Sequence, residues 1–226
     1  MGKEGKDYGS EYHLGTYLTE ENESLLNEAV SKAMGIRATA FKWKKPSSKR
    51  KEWKGMEFLK DDQKLQSKWR EFWAQTGNPP NWDAVATCVV NGQKEWILLE
   101  AKANHPEFCS PPCGAKDEGR KKIIHALNKT KNKLGVHRDF RWEGTYYQYA
   151  NRLACLYFLT EIARTHARLV FLYFTGDRFP SPDNRKCPAS EQEWRPLINA
   201  CHLTLGLADN HLLSGRVHEV FLPVAP

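Results

Sequence analysis

Residues 83–102, DAVATCVVNGQKEWILLEAK, decide how this chain is read. Ala86–Val90 is rich in β-branched residues, Asn91-Gly92 is the strongest short-range signal for a two-residue hairpin turn, and Trp96–Lys102 reads as the returning strand, buried through Ile97 to Leu99. The first strand begins near Asp83, straight after the breaker cluster Gly77-Asn78-Pro79-Pro80-Asn81. Asp83 enters one strand and Glu100 lies near the end of the other, so antiparallel pairing carries both carboxylates to the same end of the hairpin. Side chains alternate along a strand with period two, which puts Lys102 on the same face as Glu100.

Upstream of the hairpin, Leu25, Leu26, Ala29, Val30 and Ala33 recur at helical spacing behind a Thr19 cap, predicting a helix over 20–34 that Gly35 ends. Residues 1–18 are polar and read as an arm, mobile or pinned to the surface by Tyr8, Tyr12 and Tyr17. Downstream, Pro106, Pro111 and Pro112 mark 103–115 as a loop, and Lys116–Leu134 has the pattern of a basic amphipathic helix. Tyr149, Leu153, Leu156, Leu159 and Ala163 give a helix over 146–165 its apolar stripe, and Arg168–Phe174 suits a strand buried on both faces of a mixed sheet. A polar loop at 181–188, a helix over 191–207 and a final edge strand at 217–224 complete the order. The expectation is an α/β fold, a mixed central sheet flanked by helices, formed as a single domain over 19–226.

At 226 residues the chain has room for one large domain, and an apolar fraction of 40% with eight Trp supplies a core despite a mean hydropathy of −0.67. The net charge of +7 and pI near 9.0 favour an anionic partner such as nucleic acid. Between Lys42 and Arg70 eleven Lys or Arg stand against four Asp or Glu, so this window alone carries +7, with Trp43, Trp53, Phe58 and Trp69 interleaved. Two readings stay open for it. Lys44, Lys45, Lys49, Arg50 and Lys54 hold phosphates while the aromatics stack on bases, or the charges are the solvated side of a helix over 60–74 whose Leu59, Leu65, Trp69 and Phe72 are buried.

No apolar run reaches the length of a membrane span and no signal peptide opens the sequence, so a soluble, cytoplasmic protein with no membrane partner is expected, its six cysteines reduced. No P-loop, dinucleotide fingerprint or nucleophile elbow is present. His105, Cys109 and Cys113 recur every four residues and with Cys187 permit a zinc site, the other reading being loop cysteines packed under the fold.

Two carboxylates and the carbonyl of Ala101 at one strand end leave half an octahedron for water and a phosphate oxygen, the usual way of holding Mg²⁺ or Mn²⁺ in phosphoryl-transfer chemistry. Lys102 beside them is placed to orient or deprotonate water. The plain alternative makes Glu100 and Lys102 an exposed strand-end pair and Asp83 a turn cap after Pro80.

Asn81-Trp82-Asp83, the hairpin and Glu100-Ala101-Lys102 together resemble the PD-(D/E)XK nuclease superfamily, with its restriction-endonuclease-like fold. The order of elements over 19–175 resembles that family's α-β-β-β-α-β core, although its first strand has no better candidate than Met56–Leu59. The resemblance implies that Asp83 and Glu100 ligate the metal with the Ala101 carbonyl, that Lys102 serves the water nucleophile, and that Glu28, or equally Glu21, approaches from the first helix. Many members carry a Gln-x-x-x-Tyr helix; here Gln148 begins the pattern and Arg152 stands where Tyr is expected, both facing the scissile phosphate. The implied activity is Mg²⁺- or Mn²⁺-dependent hydrolysis of DNA, in preference to RNA, with a homodimer suited to cutting both strands. The competing functions are a nucleic-acid-binding or interaction module that keeps the fold without catalysis, and an enzyme acting on RNA or a small phosphodiester.

Overall fold

A computed structural model describes residues 7–44, 52–77, 79–178 and 186–224. In chain order the elements are α1 (Ser10–Tyr17), α2 (Glu23–Ala33), β1 (Ala38–Lys44), β2 (Trp53–Lys54), α3 (Gln63–Phe72), β3 (Asn81–Trp82), β4 (Ala84–Val90), β5 (Gln93–Lys102), α4 (His105–Phe108), α5 (Asp117–Leu134), α6 (Tyr147–Tyr157), β6 (Ala167–Thr175), α7 (Glu191–Leu205) and β7 (Val217–Pro223). The main sheet runs β1-β4-β5-β6-β7, antiparallel across the first three strands and parallel across the last three. A two-stranded ribbon, β2 with β3, pairs Trp53 with Trp82 beside it.

The β4–β5 hairpin forms as its sequence predicts. Val90 faces Gln93 across a turn in which Asn91 has φ 49° and Gly92 φ 79°, the two positive values that match the twist of a tight hairpin. Alternation then divides the strands between two cores. Ile97, Leu99 and Ala101 of β5 join Val170 and Leu172 of β6 under α1 and α2, while Leu98 of β5, Leu169, Phe171 and Tyr173 of β6 face α3, α5, α6 and α7. Glu100 and Lys102 point to this second face, directly beside Phe171 and Tyr173 in the parallel register.

Two expectations are corrected here. Within the supposed arm, residues 10–17 are helix α1, with His13, Leu14 and Tyr17 buried. Its weak amphipathicity is offset by distant contacts: His13 Nε2 lies 2.9 Å from Asp177 Oδ1, and the Tyr17 hydroxyl donates to the Pro223 carbonyl at 3.0 Å. The strand that opens the sheet is β1, not Met56–Leu59, whose last three residues form a 3₁₀ turn. The helix expected over 146–165 runs as α6 and continues through a π turn at Phe158–Ile162, and β7 is an edge strand as expected. Asp62 caps α3 by accepting from the Leu65 N–H, and Leu65, Trp69 and Phe72 form its buried side. No described helix is long and apolar enough to cross a membrane.

Candidate active site

The site lies where β4 has ended and β5 continues. Ala84, paired with Leu99, is the last register partner β4 supplies, so beyond it the edge of β5 is met by the Asp83 side chain, whose Oδ2 accepts the Ala101 N–H at 2.7 Å. The Asp83 N–H donates to the Leu99 carbonyl at 3.2 Å, which fixes the bend between β3 and β4. A strand residue sends its N–H and C=O to the same side, so the Ala101 carbonyl projects from the edge that Asp83 covers.

Glu100 is 1% exposed and Lys102 8%. Lys102 Nζ donates to Glu100 Oε1 at 2.5 Å and to Gln148 Oε1 at 2.8 Å, and the Gln148 N–H is held in turn by Ser110 Oγ at 2.9 Å. One turn along α6, Arg152 places Nε 2.8 Å and Nη2 2.7 Å from Glu100 Oε2. Its Nη1 donates to Asn151 Oδ1, and its guanidinium carbon lies 5.0 Å from the ring centre of Trp82, itself anchored by an indole N–H to the Gly55 carbonyl.

These contacts push the two carboxylates apart in acidity. Burial, then the nearby charge of Glu100, raises the Asp83 carboxyl to about 8 against the opposing pull of Lys102, the Ala101 N–H and Arg152. For Glu100 burial also acts upward, but Arg152 and Lys102 outweigh it and hold the group below the usual carboxylate range. A carboxylate crowded by another until it retains its proton is the donor chemistry that a divalent cation relieves, and the site therefore fits one held by Asp83, Glu100 and the Ala101 carbonyl.

The structure thus gathers Asp83, Glu100, Ala101, Lys102 and Gln148, and leaves other candidates elsewhere. Glu28 is not at the site. It lies on α2, across the sheet from Glu100, and lines a cavity of about 650 Å³ with Tyr17, Arg195, Glu219 and Phe221; Glu21 precedes the same helix. Arg152 is corrected from a phosphate contact to a buried partner of Glu100: at 2% exposure, with its donors on Glu100 and Asn151, it offers no surface to a strand. Lys44 ends β1 with Nζ 5.3 Å from the ring centre of Trp96, and Lys54 is half-buried in β2. Lys45, Lys49 and Arg50 lie outside the described residues.

The zinc constellation does not assemble. His105 opens α4, Cys109 is exposed, Cys113 is buried, and Cys187 lies beside Asp177; among the described residues no three His, Cys, Asp or Glu side chains converge as metal ligands. Asp83 and Glu100 contribute only two carboxylates, which is why the backbone carbonyl matters to the fit. Trp82 and Asn151 are participants the sequence reading left without a role, although each adjoins a residue it had singled out.

Comparisons with family models, with curated proteins and with solved structures find no match for this chain.

Proposed function

We propose that the chain is a metal-dependent nuclease of PD-(D/E)XK type that hydrolyses phosphodiester bonds in DNA. The observation that carries this reading is the convergence of Asp83, Glu100, Lys102 and Gln148 at one strand end, inside a face that is otherwise apolar. Support also comes from the order of elements, α2, β1, β4, β5, α6, β6, and from a sheet whose first three strands are antiparallel and whose fourth is parallel.

A divalent ion held by Asp83, Glu100 and the Ala101 carbonyl would supply Lewis-acid stabilisation of charge on phosphate and a more acidic water. Lys102 spends two of its three N–H donors on Glu100 and Gln148, which fixes the direction of the third toward an attacking water or a phosphate oxygen. Gln148 acts as a positioning residue by holding that ammonium. Asp83, by accepting the Ala101 N–H, ties its own carboxylate to the strand edge that presents the carbonyl.

The test is cleavage of plasmid and single-stranded DNA with Mg²⁺, Mn²⁺ or EDTA, wild type against Lys102→Ala. Metal-dependent cutting lost in the variant is expected. Salt-sensitive DNA binding that is indifferent to metal and to Lys102→Ala, without cutting, would replace the nuclease with a binding module of the same fold. Cutting of RNA in preference to DNA would keep the chemistry and change the substrate.

A further inference from the structure

We infer that Arg152 is a built-in cation standing where a second divalent ion would otherwise sit, so that the site takes one Mg²⁺ or Mn²⁺ per chain. The inference rests on the nuclease reading of the site and concerns how its charge is organised.

Two-metal phosphoryl-transfer sites hold their ions about 3.5–4 Å apart between shared oxygen ligands. Glu100, the carboxylate most deeply placed, has both oxygens engaged: Oε1 by Lys102 at 2.5 Å, Oε2 by Arg152 Nε at 2.8 Å and Nη2 at 2.7 Å. The guanidinium is planar, permanently charged and fixed on every side. Glu100 binds one edge, Asn151 Oδ1 takes Nη1 at 2.6 Å, and the Trp82 ring lies against it at 5.0 Å. Arg152 springs from the middle of α6 at 2% exposure, so no rotation carries it to solvent without unpacking that helix from the sheet. Lys102, by contrast, is the more exposed of the two cations and keeps a donor for the reacting groups.

The charge count leads to the same conclusion. When ionised, Asp83 and Glu100 supply two negative charges, which Lys102 and Arg152 already balance. One dication then makes the site positive by two, a charge that the phosphates of a bound strand offset. A second would have to share Glu100 with a fixed guanidinium and would find no further carboxylate, since no third acidic side chain joins this cluster among the described residues. The resemblance places a neutral Tyr at position 152. The Arg found there changes the cation count rather than merely replacing a hydrogen-bond donor.

The experiment counts Mn²⁺ bound to the full chain by electron paramagnetic resonance, with a DNA duplex carrying phosphorothioate linkages as the anion, in wild type, Arg152→Lys, Arg152→Gln and Asp83→Asn. Expected are one Mn²⁺ per wild-type chain with an uncoupled spectrum, one in Arg152→Lys, a second ion in Arg152→Gln, and loss of the first in Asp83→Asn. Two ions per wild-type chain with an exchange-coupled spectrum would overturn the inference while leaving the metal-dependent reading in place. No bound Mn²⁺ in wild type, with Asp83→Asn indistinguishable from it, would overturn both. Should Arg152→Gln fail to fold, the wild-type count still decides.

Discussion

Removing Arg152 tests the electrostatics of the site apart from any activity. Arg152→Met strips the guanidinium from Glu100 Oε2 and leaves a carboxylate at 1% exposure with Lys102 as its remaining partner. With Nη2 to Oε2 at 2.7 Å the charge centres are about 4 Å apart, and at an effective dielectric near 20 their attraction is about 4 kcal/mol. Breaking a buried pair from one side costs about 3–5 kcal/mol, because the partner stays buried and uncompensated. Glu100→Gln should cost a comparable amount, since it leaves Arg152 and Lys102 facing each other without an anion. The double variant removes both the charge and its orphan, so it should be less destabilised than the two singles together by about 2–3 kcal/mol. Urea unfolding of all four chains in EDTA at neutral pH, read from the midpoint at constant slope, measures the coupling. Additivity within about 0.5 kcal/mol, or an Arg152→Met cost under about 1 kcal/mol, would refute the description of this pair as the electrostatic centre of the site.

A second titration lies far from the site. Burial, then Arg168, lowers the buried His218 imidazole to about 4, and its Nε2 lies 3.2 Å from Arg168 Nη1. The unfolded chain therefore takes up a proton that the folded chain refuses, so stability from this group is complete above about 6.5 and declines as the pH falls toward 4, by about 3 kcal/mol in all. His218→Gln should remove that share of the acid sensitivity, seen as a smaller difference between urea midpoints at neutral and mildly acidic pH; an unchanged difference would contradict it. Gly206 caps α7 at φ +66°, and a Cβ there would meet Phe140 Cδ2 at 2.4 Å. Gly206→Ala should cost about 2 kcal/mol or more from left-handed strain and overlap together, with Phe140→Ala in the same chain relieving only the overlap; thermal unfolding of the single and double variants separates the two terms.

What the sequence made legible follows from how local each signal is. The hairpin was readable because Asn91-Gly92 specifies its own turn, and the apolar run on either side needs no distant partner to be recognised. The same hairpin placed Asp83, Glu100 and Lys102 together, since antiparallel pairing and period-two alternation are consequences of strand geometry alone. β1 escaped because it is an edge strand with a largely exposed surface, and because a register shift between Thr39 and Lys42, with Ala40 at φ 51°, breaks the alternation that would have announced it. Helix α1 escaped for a different reason. Its sequence has little apolar periodicity, and the groups that hold it, Asp177 and Pro223, lie more than 160 residues away in the chain. Arg152 was placed on the right helix but given the wrong neighbour, because which face of α6 meets β5 is decided by packing between elements and leaves no local mark.

The arrangement around Glu100 is a poor device for stability alone. Its neighbours on that face of the sheet, Leu98, Phe171 and Tyr173, are members of the apolar core, and well-packed apolar residues in place of a buried ion-pair cluster are often neutral or stabilising by about 1–4 kcal/mol. Asp83 adds a cost of its own. With its carboxyl raised to about 8, the stability it contributes is present below the ordinary carboxylate range and is lost as the pH rises through that value. A chain selected only to fold gains nothing from placing that group beside Glu100. The placement has a use where charge must be held ready for a partner that brings the opposite sign, and the proposed chemistry requires two such partners, a divalent cation for the carboxylates and a phosphate for Lys102. The buried guanidinium of Arg152 then sets how much of that readiness is left for the cation: it keeps Glu100 ionised and oriented, and in doing so reserves one of its oxygens.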